Sequence, residues 1–238
     1  ITGLLSRRAE DQIVNGYNEQ KLRNGGVTLN FTPDEKNDFD LNVARELQDR
    51  NSTPGKSQAA ETCRGNTCTP NSPSNSRYEH TTYALTHNGY YDDFNTTSYL
   101  QQEKSTNPGR EMKSYNTTFN NQNQIFLGDH TLTVGGQYRY EKLNDNGNQL
   151  EAADGLNKLT RWSWALFTED EWAMTDSFTL TGGLRMDKDE NYGTNWTPRG
   201  YGVWHLAEQW TLKGGVSAGY RAPDLRQSSA SWGQVTGG

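Results

Sequence analysis

The connections between the candidate β-strands of this chain alternate strictly between short turns and long polar loops. Consecutive antiparallel strands send alternate connections to opposite ends of a sheet. The pattern therefore predicts an antiparallel sheet with its tight turns at one rim and its long loops at the other. The short links fall near residues 32–38, 87–93, 126–130, 173–177 and 206–209, and the long loops near residues 11–24, 50–77, 103–112, 142–160, 188–195 and 222–238.

The composition fits strands that show only one face to an apolar environment. Only 31% of the 238 residues are apolar and the mean hydropathy is -1.00, values typical of a solvated chain. The 7 Trp and 12 Tyr argue against disorder. No apolar run approaches the roughly 18 residues of a membrane-spanning helix. A strand crosses a bilayer with about 10 alternating residues, which mean hydropathy barely registers.

Three segments repeat one alternating pattern: HTLTVGGQYRYE from His130, SFTLTGGLRMDK from Ser177 and QWTLKGGVSAGY from Gln209. Period two is the signature of a strand. The apolar faces contain Leu132, Leu180 and Leu212, and the opposite faces contain Arg139, Arg185 and Lys213. A soluble sandwich would bury one face, but a dry interior does not accept such cations without partners, whereas a wet lumen does. The pattern favours an all-β, antiparallel transmembrane β-barrel with apolar residues outside.

Strand number and strand ends support a barrel of which this chain is a part. Aromatic residues gather at strand ends, where rings meet lipid headgroups; they include Trp162, Trp164, Trp172, Trp196, Trp204, Trp210, Tyr138, Tyr140 and Tyr220. About eleven strands are predicted, near residues 1–10, 25–32, 38–49, 78–87, 92–103, 112–125, 130–141, 158–172, 177–188, 196–206 and 210–222. Bacterial single-chain barrels have even counts, and lipid does not tolerate unpaired edges. We therefore expect residues 1–238 to be part of a larger barrel.

The net charge and the two cysteines limit which binding partners and which cellular compartment are expected for this chain. The net charge is -6 and no Lys/Arg-rich run is present, so nucleic acid is not an expected partner. Cys63 and Cys68 lie in the loop sequence TCRGNTC, where a disulfide formed in an oxidising compartment is predicted. A zinc site is the alternative, but two cysteines without a nearby histidine fall short of four ligands. No other metal site is predicted. No signal peptide precedes Ile1, as in a mature or partial chain.

Six stretches carry a family resemblance over nearly the whole chain: GGVTLNFTPDEKNDFDL from Gly25, YALTHNGYYD from Tyr83, LTVGGQYRYEKLND from Leu132, ALFTEDEW from Ala165, GLRMDKDENYGTNWTPR from Gly183 and TLKGGVSAGYRAPDL from Thr211. The chain resembles TonB-dependent outer-membrane receptors, most closely the group of the colicin I receptor and the ferric enterobactin receptor. The resemblance implies a 22-stranded barrel in the outer membrane of a Gram-negative bacterium. It also implies an N-terminal plug, which engages TonB and is absent from this chain.

Ligand-binding candidates follow from the chemistry of ferric catecholates, which are bulky, aromatic and anionic. Such a cargo needs cationic side chains and aromatic faces. The loops and strand ends offer Arg64, Arg77, Arg110, Arg221, Arg226, Tyr78, Trp162 and Trp232. Arg221 is the foremost candidate because it stands at the predicted outer end of its strand, where Pro223 ends regular pairing. Its alternative role is to pair with an inward carboxylate.

The remaining polar residues are assigned to the lumen rather than to catalysis. Glu169 and Glu171 share a face with Arg139, Arg185 and Lys213, and all five are predicted to line the lumen or contact the plug. No nucleophile elbow or Ser/His/Asp order accompanies the carboxylates, so no catalytic residue and no enzyme are predicted. The acidic residues from 187 to 190 could bind divalent cations that bridge lipopolysaccharide. No covalent cofactor is expected.

The predicted function is TonB-coupled import of ferric catecholate siderophores across the outer membrane, with a further role as a colicin receptor. The expected partners are TonB through the plug, the ferric siderophore, lipopolysaccharide and outer-membrane lipid, and bacteriocins. The same fold could instead import haem or cobalamin, or serve as a passive porin or adhesin. A plug with a TonB-engaging segment would discriminate active import from a porin.

Overall fold

The computed structural model describes residues 2–12, 16–55, 59–146, 157–219 and 221, with side chains described from residue 20 onward apart from residue 110. Among these residues, no helix is long and apolar enough to cross a membrane.

The described chain is built almost entirely from β-strands. In chain order they are β1 (Thr2–Gln12), β2 (Gly16–Phe31), β3 (Asn37–Ser52), β4 (Glu61–Arg64), β5 (Thr67–Pro70), β6 (Ser74–Tyr90), β7 (Phe94–Asn107), β8 (Met112–Leu127), β9 (His130–Asp145), β10 (Lys158–Ala173), β11 (Phe178–Asp189), β12 (Gly193–Ala207) and β13 (Trp210–Ser217). A short 3-10 helix, Pro108–Arg110, links β7 to β8.

Eleven strands form one antiparallel sheet in which every strand pairs with its neighbour along the chain. Strands β4 and β5 form a separate hairpin within the connection from β3 to β6. The short links at residues 32–36, 91–93, 128–129, 174–177 and 208–209 all lie at one rim, which we call the turn rim, and the other connections lie at the loop rim. The predicted all-β antiparallel architecture and its eleven strands are confirmed.

The strands extend further toward the loop rim than the sequence pattern predicted. The prediction of a loop over residues 11–24 is wrong, because most of that segment belongs to β1 and β2. The loops expected over 103–112 and 188–195 shrink to 108–111 and 190–192. Side-chain alternation marks a strand only where its two faces meet different media. Beyond the hydrocarbon both faces meet water, so the backbone ladder continues without that signal.

The register places the predicted apolar and polar residues on opposite sides of the sheet. Strands β9 to β13 pair so that Leu132, Leu180 and Leu212 lie on one side, the outer face. The outer face is covered with exposed apolar side chains, including Leu29 at 58%, Leu166 at 53% and Leu212 at 59%. An apolar surface of this extent needs an apolar environment. The alternation therefore has the apolar-out form of a membrane barrel.

The repeated glycine pairs have a packing role on the inner face, the side opposite to the outer face. Gly135 lies opposite Phe167, and Gly215 lies opposite Tyr201. A Cβ at Gly135 would overlap both the Phe167 ring and the Asn121 carbonyl oxygen, and a Cβ at Gly215 would overlap Tyr201. The Phe167 ring thus lies in the space left by Gly135 on the adjacent strand, a known device for covering glycine in sheets, whereas Gly215 makes room for the Cβ and backbone of Tyr201.

Polar side chains on the outer face are bonded to one another. The Asn121 side-chain amide donates to Ser98 Oγ at 2.8 Å, and the Asn123 amide donates to Asn121 Oδ1 at 2.7 Å. Near the turn rim, His130 Nδ1 lies 2.7 Å from Asp170 Oδ2. An unsatisfied polar group in hydrocarbon costs several kcal/mol, so these contacts allow polar residues in an otherwise apolar face. The sequence pattern predicted an apolar outer face and did not anticipate them.

Candidate functional site

The most highly charged part of the inner face lies on β9, β10 and β11 near the loop rim. Antiparallel pairing sets Arg161 opposite Glu141, Ser163 between Arg139 and Asp189, and Ala165 between Gln137 and Asp187. We call the six ionisable residues in this region the inner charge cluster: Arg139, Glu141, Arg161, Arg185, Asp187 and Asp189. Small side chains on β10 leave room for longer ones to meet across it.

Arg161 is the buried centre of this cluster. Its Nε and Nη2 donate to Glu141 Oε2 at 2.8 and 2.6 Å, and its Nε lies 3.8 Å from Asp189 Oδ2. The side chains of Arg161, Glu141 and Asp189 are only 7%, 12% and 4% exposed. Asp189 Oδ1 also accepts backbone N–H groups of the loop-rim turn, from Asn191 at 2.8 Å and Tyr192 at 3.3 Å. Removal of any one partner from such a buried network would leave an uncompensated charge.

Arg139 and Arg185 are more accessible and face the lumen side. Arg139 Nη2 donates to Glu141 Oε1 at 3.0 Å with its side chain 47% exposed. Arg185 Nε donates to both Asp187 carboxylate oxygens at 3.1 Å, its Nη2 donates to Gln137 Oε1 at 3.1 Å, and its side chain is 40% exposed. Exposed ion pairs of this type add about 0–1 kcal/mol to stability. These arginines are therefore better placed to bind a ligand than to hold the fold.

Arg221 joins these side chains around one cleft. The cleft has a volume of about 330 Å³ and is lined by Arg139, Arg161, Arg185 and Arg221 together with Glu141, Asp187 and Asp189. Lys188 is also part of the lining, so five cationic residues meet three carboxylates there and the lining has a surplus of two positive charges. Guanidinium groups provide several N–H donors in a planar fork, which suits anionic oxygen groups and aromatic faces. The cleft can therefore accept an anionic aromatic ligand.

A second polar group lies on the inner face closer to the turn rim. Arg199 on β12 forms an ion pair with Glu169 on β10, across the intervening β11. Gly183 separates them in register, and a Cβ there would lie 3.5 Å from Arg199 Cγ. The Arg185 guanidinium carbon lies 6.0 Å from the centroid of the Phe167 ring, which links this group to the inner charge cluster. Glu169 thus pairs with an arginine on its own face.

The structure separates the predicted ligand-binding residues instead of bringing them together. Tyr78 lies on the inner face of β6, and its hydroxyl donates to Ser105 Oγ at 3.2 Å. Arg77 lies on the outer face and pairs with Asp49 at 3.8 Å and Glu79 at 3.0 Å. Trp162 is also on the outer face, opposite Tyr140. Because neighbouring residues of a strand point to opposite faces, Arg77 and Tyr78 cannot contact one ligand in the lumen.

The other candidates have less defined surroundings. Arg64 is exposed on β4, in the hairpin of the loop rim. Arg110 belongs to the short helix Pro108–Arg110, but its side chain lies outside the described residues, and so do Arg226 and Trp232. On the lumen side, Glu171 and Lys213 are exposed and share the inner face with Arg139 and Arg185. Ligand or plug contacts of these residues stay predictions.

Four members of the inner charge cluster were missed by sequence reasoning. Arg161 and Glu141 received no role, and Asp187 and Asp189 were assigned only to an acidic loop. A usable signal existed: Trp162 and Tyr140 belong to the aromatic belt, so their neighbours Arg161 and Glu141 must share the opposite face. Pairing in register then brings opposite charges together.

The predicted disulfide joins Cys63 and Cys68. The two residues lie opposite each other in the β4–β5 hairpin, and Gly65 adopts a positive φ of 63° in its tight turn. Both sulfur atoms are used by the bond, so neither is a thiolate that could bind zinc. The covalent link closes the hairpin that projects at the loop rim.

An antiparallel sheet with an apolar outer face and a charged inner face defines a section of an outer-membrane β-barrel. Residues 7–238 match the family described as "TonB dependent receptor-like, beta-barrel", and the chain belongs to this family. Its members are receptors and transporters, not enzymes. The predicted family and its outer-membrane location are confirmed.

Two relatives found by sequence are named for regulation by iron and for ferric enterobactin, respectively. The chain is 39% identical over 240 residues to the iron-regulated outer membrane virulence protein of Vibrio cholerae, covering all of this chain and 36% of that protein. It is 25% identical over 251 residues to the ferric enterobactin receptor PirA of Pseudomonas aeruginosa, covering 87% of this chain and 32% of PirA. The chain thus spans about a third of the length of these relatives.

Solved structures show the same fold. The siderophore receptor PirA of Pseudomonas aeruginosa superposes with a TM-score of 0.73 at 23% identity, over 98% of this chain and 40% of that one. A mutant ferric enterobactin receptor (PfeA) of the same organism, in complex with enterobactin, gives 0.71 at 23% identity, over 95% of this chain and 38% of that one. At this identity the likeness concerns the fold.

Proposed function

We propose that this chain is a barrel section of a TonB-coupled outer-membrane receptor that imports ferric catecholate siderophores. The observation that carries the proposal is the cleft on the inner face where Arg139, Arg185 and Arg221 meet. It lies toward the loop rim, which is the extracellular side in barrels with short periplasmic turns. The names of relatives, which include ferric enterobactin receptors, support the same cargo class.

The chemistry of the cleft suits an anionic aromatic ligand. A guanidinium has five N–H donors, and the described bonds of Arg185 use its Nε and Nη2. Its remaining donors can bind catecholate oxygens, and its planar face can stack on a catechol ring. The carboxylates hold the guanidinium groups in place while leaving the cleft with a positive surplus. The cargo would be captured between the loops and the plug and released inward with energy delivered through TonB.

The loops provide the second part of the proposed receptor. The disulfide between Cys63 and Cys68 stiffens a hairpin that also carries Arg64. A hairpin held in this way is preorganised and loses less conformational entropy when it closes over a ligand. Colicins or other bacteriocins would use the same exposed loops, and a bacteriocin sensitivity assay tests that role separately.

An uptake experiment with the full-length receptor tests the proposal. A Gram-negative strain that lacks its own catecholate receptors would express it under iron limitation, with and without a functional TonB. We expect growth on ferric enterobactin in the TonB-positive strain alone. Growth on haem or cobalamin instead of ferric enterobactin would contradict the proposal that the cargo is a ferric catecholate. Uptake that does not require TonB would contradict active import and would favour a passive porin.

A matched pair of variants tests the cleft itself. Arg185→Gln removes a cation that is 40% exposed from the cleft, whereas Arg45→Gln removes a cation that is 58% exposed from the outer face. Loss of one charged hydrogen bond of about 1.5 kcal/mol predicts about tenfold weaker ferric enterobactin binding for R185Q. R45Q should bind like the unmodified receptor. If both variants bound ferric enterobactin equally well, the cleft would not be part of the binding site.

A further inference from the structure

Four small polar side chains lie side by side on the outer face of β7 and β8. Thr96 lies opposite Asn123 in register, and Ser98 lies opposite Asn121. We call Thr96, Ser98, Asn121 and Asn123 the lipid-facing polar patch. It lies on the opposite face from the cleft that the proposed siderophore would use, so its role does not depend on the cargo.

The lipid-facing polar patch is enclosed by the apolar band of the barrel. Toward the loop rim, Leu100 and Phe119 face each other and are 45% and 42% exposed. Toward the turn rim, Phe94 lies opposite Ile125 and is 39% exposed. The distance from Phe94 to Leu100 along the strand is roughly 20 Å, and the apolar band of such barrels is roughly 25 Å tall. The patch therefore lies at a depth where hydrocarbon, not water, meets the outer face.

The polar atoms of the patch satisfy one another only in part. The Asn121 amide donates to Ser98 Oγ at 2.8 Å, and the Asn123 amide donates to Asn121 Oδ1 at 2.7 Å. The same nitrogen of Asn123 reaches the Val134 carbonyl oxygen only at 3.5 Å. Among the described residues, nothing donates a hydrogen bond to Asn123 Oδ1. Because hydrocarbon offers no hydrogen bond to such an atom, the patch favours a partner that carries its own donor.

A second copy of the receptor carries a matching donor at the right depth. Copies in one membrane share their orientation, so a two-fold axis between them runs along the membrane normal and each residue meets residues at its own depth. A barrel with an uninterrupted apolar band would present no polar group there. A side-chain amide is complementary to itself, because its N–H can donate to the carbonyl oxygen of a second amide while its own oxygen accepts in return. Asn123 provides both groups.

We propose that the receptor forms a two-fold symmetric dimer in the outer membrane through the lipid-facing polar patch, with Asn123 of each copy paired to Asn123 of the other. The reciprocal pair supplies a donor to Asn123 Oδ1 and replaces the long contact to Val134. Thr96 and Ser98 are small, and small side chains let surfaces inside a membrane approach closely. The apolar rows on either side of the patch then pack against the same rows of the second copy.

Association of the full-length receptor in lipid vesicles tests the proposal. Energy transfer between donor-labelled and acceptor-labelled copies, followed while the membrane is diluted with lipid, gives the dissociation constant of the dimer. Asn123→Leu removes both reciprocal hydrogen bonds and should weaken association about tenfold, equivalent to about 1.4 kcal/mol. The matched control Gln122→Leu removes the adjacent amide, which is exposed on the inner face, and should associate like the unmodified receptor. Absence of energy transfer in the unmodified receptor, or equal association of N123L and Q122L, would overturn the proposal.

Cysteine cross-linking locates the contact while the amides stay unchanged. Ile125→Cys places a thiol on the same face as Asn123 and next to the patch, whereas Leu184→Cys places one on the outer face of β11, three strands away. Both variants keep the Cys63–Cys68 disulfide. In native outer membranes, a membrane-permeant bifunctional thiol reagent should link I125C into a product of twice the receptor mass and leave L184C a monomer. Cross-linking of I125C no stronger than that of L184C would overturn the proposal. So would an I125C product of a different mass, because that result assigns the patch to another membrane protein.

Discussion

Replacing Arg161 with leucine is expected to destabilise the barrel by about 3 kcal/mol. The substitution removes the guanidinium that holds Glu141 at 2.6 Å and Asp189 at 3.8 Å, and both carboxylates are nearly inaccessible to solvent. Breaking a buried ion pair by removing one partner costs about 3–5 kcal/mol. The lower end applies because Arg139 still contacts Glu141 at 3.0 Å and backbone amides still hold Asp189.

Urea unfolding of the full-length receptor in lipid vesicles, followed by tryptophan fluorescence, measures this free energy. Arg185→Leu is the matched control, because it removes a neighbouring inner-face arginine whose side chain is 40% exposed; its expected cost is within about 1 kcal/mol. The double variant R161L/E141Q should recover part of the loss, since one of the unpaired charges is gone. A loss in R161L no larger than that in R185L would refute the assignment of Arg161 as the buried centre.

Three further outcomes follow from packing, from the disulfide and from a turn carboxylate. Gly135→Val should displace the Phe167 ring and destabilise the barrel by about 1–3 kcal/mol of overpacking, seen in the same urea assay. C63S/C68S should leave barrel stability unchanged but speed amide hydrogen exchange within the β4–β5 hairpin about 30-fold, because closing so short a loop contributes about 2 kcal/mol. Hydrogen bonds from Asn37 and from the backbone N–H of residue 36 lower the pKa of Asp34 below its ordinary 3.8. Because the ionised carboxylate accepts these bonds, they stabilise the turn at every pH above the pKa of the unfolded chain, and this contribution should fade only as the pH falls below about 3.8. A carbon-13 NMR titration of the Asp34 carboxyl group would show the lowered pKa.

The sheet could be predicted from the sequence because its signal is local. Alternation of apolar and polar residues in segments such as 130–141 reports the two media that meet the two faces of one strand. Tight turns add their own signal, and together they fix strand order in a meander. The pattern failed over residues 11–24, where β2 extends beyond the hydrocarbon and both faces are wet.

The inner charge cluster was harder to predict because it depends on pairing between strands. Arg161 becomes a buried residue only when β9 and β10 pair so that it lies opposite Glu141. The same holds for Asn121, whose position on the outer face is tolerated through its bond to Ser98 on another strand. Composition and spacing along one strand do not contain this information, so candidate sites chosen by residue type alone combined Arg77 and Tyr78, which face opposite sides.

We expect hydrocarbon to cover the outer face of the barrel, and water or another part of the receptor to cover the inner face. A nitroxide scan along β11, from residue 179 to residue 184, tests it in the full-length receptor reconstituted in vesicles. Collision rates with oxygen, which concentrates in lipid, should peak at Leu180, position 182 and Leu184, whereas a water-soluble nickel complex should favour the alternate positions. Uniform accessibility to both reagents along the strand, or the reverse alternation, would contradict this assignment of the two faces.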